Sequence, residues 1–218
     1  MKNGLSIGQI REMFIQVSTA IVDAEGLLTE TDLAVGDGDH GTGMALGFGA
    51  VKDMLINAPE YQSVQALFLA VGSKLIDTMG GASGVLFGTF FISGIRHVKS
   101  EKGLTLDDFA HIFQGAYEAI SARGRAKPGD KTMLDALFPA AIALREAADA
   151  DMLLTDGFSL ASERAAAGAE ATREMLASTG RAREYRESSV GHPDPGAISV
   201  SIIVEAMNRY IRNEGITH

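Results

Sequence analysis

Gly84-Val85-Leu86-Phe87-Gly88-Thr89-Phe90-Phe91-Ile92 is the stretch that decides between two fold classes. Its β-branched and aromatic residues suit a strand by composition. A strand needs a partner, however, and no other run shows convincing alternation of strand type. The stretch is therefore read as a buried helix and the chain as all-α. Outward from it, the helical period repeats. After Ser6, an N-cap residue, Ile10, Met13, Phe14, Val17 and Ile21 fall on one helical face. The same period predicts helices over about 43–57, 61–78, 84–99, 105–123, 131–150, 157–178 and 196–213. Thr105, with Asp107 and Asp108 behind it, reads as a capped helix start with acids that complement the dipole. Pro139 is expected to kink the sixth of these segments rather than end it.

Composition narrows the function classes. Over 218 residues, 46% are apolar but only 6% aromatic, which points to closely packed helices with small side chains. The formal net charge of −9 argues against nonspecific binding to nucleic acid or anionic membrane, both of which need basic surface. With no cysteine, disulfides, thiolate zinc sites and a cysteine nucleophile are excluded. The N-terminus has no basic-then-apolar signal, and Gly or charge breaks every long apolar run. One domain over 1–218 and a cytoplasmic location are the expectations.

Eight helices joined in order by short loops make an antiparallel up-and-down bundle or barrel, and alternate connections then share one end. Those connections are the glycine-rich ones: 29–43, 79–84, 124–130 and 180–196. The connections at the other end are chemically plain. The unusual residues are thus expected together.

The first of these loops reads Asp32-Leu33-Ala34-Val35-Gly36-Asp37-Gly38-Asp39-His40-Gly41-Thr42-Gly43. Carboxylates this crowded repel one another unless a cation sits among them, and oxygen-only ligands suit Mg2+ or Ca2+ better than zinc. Asp37 and Asp39 share a side of an extended loop, and a turn at Gly36 would add Asp32. The competing reading is solvated acids and helix caps. His40 caps a helix, meets a phosphate, or packs. In the second loop, Gly80-Gly81-Ala82-Ser83-Gly84 leaves backbone N–H groups open as a phosphate cradle needs, although such runs are often tight helix–helix turns. It is neither a P-loop nor a dinucleotide fingerprint. In the third, Asp130 is expected as an N-cap, and Met133 and Leu134 either wall a base or belong to the core. The fourth carries Arg181, Arg183, Arg186, His192 and Asp194, with Pro193 and Pro195 to stiffen it. Arginines facing a carboxylate triplet make sense with phosphates and metal between them. Such residues suit phosphoryl transfer, which needs positioning and charge neutralisation rather than a nucleophile–base pair.

At these motifs the chain resembles the nucleotide-binding L subunits of the dihydroxyacetone kinases. The resemblance runs in order through Gly36–Gly41, Gly80–Gly84 with Phe87–Phe91, Pro128–Met133, Gly180–Ala182 and Gly191–Ala197, which is essentially the whole chain. It implies an eight-helix antiparallel barrel with ADP or ATP and two Mg2+ at one end. It implies Asp32, Asp37 and Asp39 as metal ligands. It also implies His40, Gly41, Thr42, Gly43, Ala82, Ser83, Gly124, Met133, Arg181, Asp194, Pro195 and Gly196 as nucleotide contacts, with Arg181 catalytic. The ketose would sit on a separate K subunit. Some such kinases exchange ATP directly; others have their bound ADP rephosphorylated by a phosphohistidine carrier of the phosphoenolpyruvate phosphotransferase system. A homodimer is open. The chain departs at Gly43, where many members carry Asn, and at Glu184 and Ser188, where many carry Tyr and Arg. Competing functions are the nucleotide module of a fatty-acid kinase and a nucleotide-loaded module that docks on a transcription factor.

Overall fold

Hydroxyl caps start several of the helices. Ser6 accepts from the Gln9 amide at 3.3 Å while Gln9 Oε1 accepts from the Ser6 amide at 3.0 Å, and this box opens α1, Ile7–Asp23. Ser63 caps α4, Val64–Met79, and a Thr105–Asp108 box opens α6, Leu106–Gly124. The computed structural model describes residues 4–178 and 186–213. Among them are nine α-helices, the others being α2 (Glu25–Leu33), α3 (His40–Asn57), α5 (Gly81–Gly94), α7 (Leu134–Asp149), α8 (Leu154–Ala171) and α9 (Pro195–Asn213).

The class is all-α, as expected. The ambiguous Val85–Ile92 stretch lies wholly inside α5. Three expectations need correction. The count is nine rather than eight among the described residues, because the chain breaks at Ala24 (φ −90°, ψ 5°) and restarts as α2. Two short strands also exist: β1, Gly4–Ser6, pairs antiparallel with β2, Gly103–Thr105, with Leu5 opposite Leu104. Three residues are too few to show a two-residue period. Asp130, finally, does not cap α7; its Oδ2 accepts from the Lys127 amide at 2.9 Å and its Oδ1 from Ser178 Oγ at 2.7 Å. α7 runs unbroken through Pro139.

Helices α1 and α3 to α9 each pack on their neighbours in chain order, and α9 closes the series against α1. α2 lies outside this ring, against α3 and α9. Small residues set the closest approach. A Cβ on Gly72 would stand 2.8 Å from the Gly88 carbonyl, and one on Gly88 2.8 Å from the Gly72 carbonyl, so α4 and α5 meet backbone to backbone. Inside the ring, Phe91 packs against Phe14 at 5.4 Å and Phe90 at 5.1 Å between ring centres. At the end where α1 begins, the Arg11 guanidinium donates to the carbonyls of Leu55, Ile56 and Ala58, satisfying the C-terminus of α3. No helix among the described residues is long and apolar enough to cross a membrane.

Candidate functional site

Packing in chain order brings the starts of α3, α5, α7 and α9 to one end, where they surround a cleft of about 540 Å3. Every helix N-terminus presents unpaired amides and about half a positive charge, so four together favour an anion. Capping sharpens the point. Of the helices that begin at the opposite end, α1, α4 and α6 carry hydroxyl caps, with α8 the exception. At the cleft, Asp39 before α3 and Gly80 before α5 make no side-chain cap. Of their first-turn amides, that of His40 donates to Asp32 and those of Gly43 and Gly84 close the first turns on the Asp39 and Gly80 carbonyls, while the amides between meet no capping side chain.

Asp32, at the end of α2, and Asp37 and Asp39, in the turn before α3, each bring a carboxylate oxygen within 4.8 Å of the others. The turn at Gly36 permits this, because a Cβ there would collide with the Asp32 carboxylate. Gly38, at φ +79°, completes the reversal in a region that favours glycine. Three converging carboxylates of which two are exposed form an oxygen-only donor set that fits a hard divalent cation. Asp32 is buried, and its Oδ2 also accepts from the His40 amide at 3.2 Å.

His40 is buried, with Nε2 2.8 Å from Ser199 Oγ and the Phe87 ring 6.3 Å away. Ser199 donates to the Pro195 carbonyl at 2.9 Å, which assigns the His40 Nε2 as the donor to Ser199. Burial lowers the His40 pKa, against the raising effects of Asp32, Asp39 and the Pro195 carbonyl. The ring is therefore neutral near pH 7.

Gly80 (φ +66°) and Gly81 (φ +57°) turn the chain so that Ala82 and Ser83 face the cleft. On the third side, Asp135 lies in the first turn of α7. Its carboxylate accepts from the Gly129 amide at 2.5 Å and the Thr132 amide at 2.7 Å and shapes the approach to Met133. On the fourth, Asp194 caps α9 by accepting from the Ala197 amide at 2.7 Å. Burial pushes the Asp194 carboxyl up to about 7, against the Ala197 hydrogen bond and with a raising contribution from Asp135. Gly196 backs onto Met133, where a Cβ would stand 3.3 Å from the Met133 Cβ.

Thus Asp32, Asp37, Asp39, His40, Thr42, Gly43, Ala82, Ser83, Met133, Asp194, Pro195 and Gly196 all line one cleft. Gly124 lines an adjoining, mostly apolar pocket of about 380 Å3 that shares Ala82, Leu86, Thr132 and Met133 with it. Arg181, Arg183 and Glu184 lie outside the described residues, as do the side chains of Arg186 and Ser188. Lys131, Ser199 and Thr172 were not legible as site residues. Only Ser199 left a signal, lying one turn after Pro195 on the same face of α9.

A Cβ on Gly41 would collide with Thr29 and the Glu25 carbonyl of α2. Gly41→Ala is expected to destabilise the fold by about 2 kcal/mol through overpacking, lowering the melting temperature by roughly 4–8 °C. Gly43→Ala, with nothing within 4 Å of the new Cβ, is the control and is expected to be neutral or slightly stabilising. Thermal denaturation of the two variants separates packing from ligand contact.

Residues 34–209 match the DAK2 domain family. The chain belongs to it. This DAK2 domain is 36% identical over 180 residues to the ADP-binding subunit DhaL of the PEP-dependent dihydroxyacetone kinase of Escherichia coli (strain K12), covering 83% of this chain and 85% of that protein. It is 33% identical over 188 residues to the L-erythrulose kinase of Pectobacterium atrosepticum, covering 86% of this chain but 32% of that one. Among solved structures, it resembles the dihydroxyacetone kinase from C. freundii in complex with AMP-PNP and Mg2+, with a TM-score of 0.72 and 25% identity. That match covers 94% of this chain and 34% of the kinase chain. The domain therefore spans about a third of the single-chain kinases and most of the separate subunit.

Proposed function

We propose that this chain is the nucleotide-holding subunit of a two-component ketose kinase, acting as one domain over residues 1–218. The observation that carries the reading is the convergence of a carboxylate triplet, two uncapped helix starts and an apolar pocket on one cleft. Asp32, Asp37 and Asp39 would hold two Mg2+ ions, which would supply positive charge to neutralise the phosphates. The first turns of α3 and α5, His40 to Gly43 and Ala82 with Ser83, receive the phosphates, the His40 amide being held by Asp32 and the Gly43 amide by the Asp39 carbonyl. Neutral His40, fixed by Ser199, adds no cation to that wall. Gly124 and Met133, with Leu86 and Ile120, enclose the base, and Asp194 to Gly196 close the remaining side. Arg181 neutralises charge during transfer. The acceptor is a hydroxyl of dihydroxyacetone or a related small ketose held by a K subunit. The cleft is fed either by exchange of ATP or by a phosphohistidine carrier. The likeness to a subunit described as ADP-binding and PEP-dependent supports that frame.

Ligand that closes all four sides should stabilise the folded state by RT ln(1 + [L]/Kd), about 2.7 kcal/mol at a hundredfold excess over Kd. At roughly 2–4 °C per kcal/mol for a chain of this size, melting should rise by about 5–10 °C with ADP plus Mg2+ and far less with either alone. Absence of a shift overturns the reading. An equal shift with GDP removes adenine selectivity while leaving phosphate binding in place.

A further inference from the structure

Lys131 is a buried lysine in a left-handed turn (φ +61°) just before α7, with 1% of its surface exposed. Its Nζ, with three N–H donors, lies within hydrogen-bond distance of four main-chain carbonyls, so one donor is shared: Thr172 at 2.8 Å, Met175 at 3.1 Å, Ser189 at 2.7 Å and His192 at 2.7 Å. Two of these follow the end of α8, and two precede α9. A buried ammonium is tolerated only where dipoles or counter-charges replace water, and here every hydrogen-bond acceptor is a carbonyl. The ring of carbonyls in turn needs a hydrogen-bond donor that reaches it, which an apolar side chain of that length would not supply. Thr172 extends the linkage: its Oγ1 accepts from the Asp194 amide at 2.8 Å, and Asp194 Oδ2 caps α9 at the Ala197 amide. Gly191 joins the same stretch by donating its amide to the Arg173 carbonyl at 2.8 Å.

We propose that Lys131 is a positioning residue of the nucleotide cleft, its ammonium clasping the end of α8 to the approach of α9 and so setting the Asp194–Gly196 wall. This inference rests on the nucleotide reading of that cleft. Lys131 lines the cleft but spends its donors on the protein, so it acts on ligand through Thr172 and Asp194 rather than by touching phosphate.

Amide hydrogen exchange on the ligand-free chain tests the clasp independently of nucleotide. In Lys131→Met the His192, Asp194 and Ala197 amides should exchange about 10-fold faster or more, with those of α1 to α6 unchanged. Affinity for ADP with Mg2+, measured by calorimetry, should fall about 10-fold or more, and Lys131→Arg, which keeps charge and donors, should recover both. Normal exchange in a folded Lys131→Met chain overturns the proposal; paired with lost ADP affinity, it would mean that Lys131 meets the phosphate itself. If Lys131→Met loses its helical circular dichroism, Thr172→Val carries the test by removing only the hydroxyl that holds the Asp194 amide. Faster exchange at Asp194 with weaker ADP binding is then expected, and wild-type values in both overturn the proposal. A wild-type chain that fails to bind ADP refutes the nucleotide reading, while the exchange comparison still decides the clasp.

Discussion

Replacing Asp37 and Asp39 together with alanine is expected to reduce affinity for ADP with Mg2+ by about 10³-fold, counting roughly 2 kcal/mol for each charged ligand lost. The fold should not suffer. Both residues are exposed, and Asp39 makes no side-chain cap on α3. Surface changes of this kind stay within about 0.5 kcal/mol, and removing two of three converging negative charges relieves repulsion in the ligand-free chain. A variant whose melting temperature holds or rises while its nucleotide binding disappears is what a ligand site predicts and what a structural acid cluster does not. Asp32 is a poorer probe, because its carboxylate also holds the His40 amide and its loss would mix packing with binding. Calorimetry with ADP and Mg2+ decides the matter: unchanged affinity in the double variant removes the carboxylates from the metal assignment.

The parts legible in the sequence are those governed by local chemistry. The apolar face of α1, the boxes at Ser6 and Thr105 and the helical reading of Val85–Ile92 depend on residues within a turn or two of one another. The convergence of the glycine-rich loops followed from parity, since alternate connections of neighbouring antiparallel helices share an end. Features fixed by distant partners were not legible. Asp130 and Asp135 both stand near a helix start, and which one shapes it depends on where Gly129 and Thr132 turn. β1 finds β2 across roughly a hundred residues with three residues on each side, too few to leave a pattern. Lys131 reads as an ordinary surface lysine, because the carbonyls that bury it come from segments 41 to 61 residues away. The need for glycine at position 41 was likewise not legible, because the groups its missing Cβ makes room for belong to α2.

The isolated chain is expected to bind nucleotide and to leave dihydroxyacetone and erythrulose unphosphorylated. Its cleft gathers acids, amides and an apolar pocket, all suited to a charged phosphate tail and a flat base. No described residue is committed to holding a small ketose. Effective molarity in a transfer reaction comes from holding both reactants in line, so one reactant held without the other gives almost no rate. Adding a cognate K subunit should supply the second reactant and cover the open end of the cleft. Arg181 then becomes the residue to test within the complex. An arginine that meets charge developing during phosphoryl transfer contributes about 10³-fold or more to turnover. Because that charge is greater in the transition state than in bound nucleotide, Arg181→Ala should depress kcat far more than it weakens ADP binding. Coupled assays of the chain alone, of the complex and of the Arg181→Ala complex separate these statements. Robust ketose phosphorylation by the chain alone overturns the two-component reading, and normal turnover in the Arg181→Ala complex removes that residue from the catalytic set.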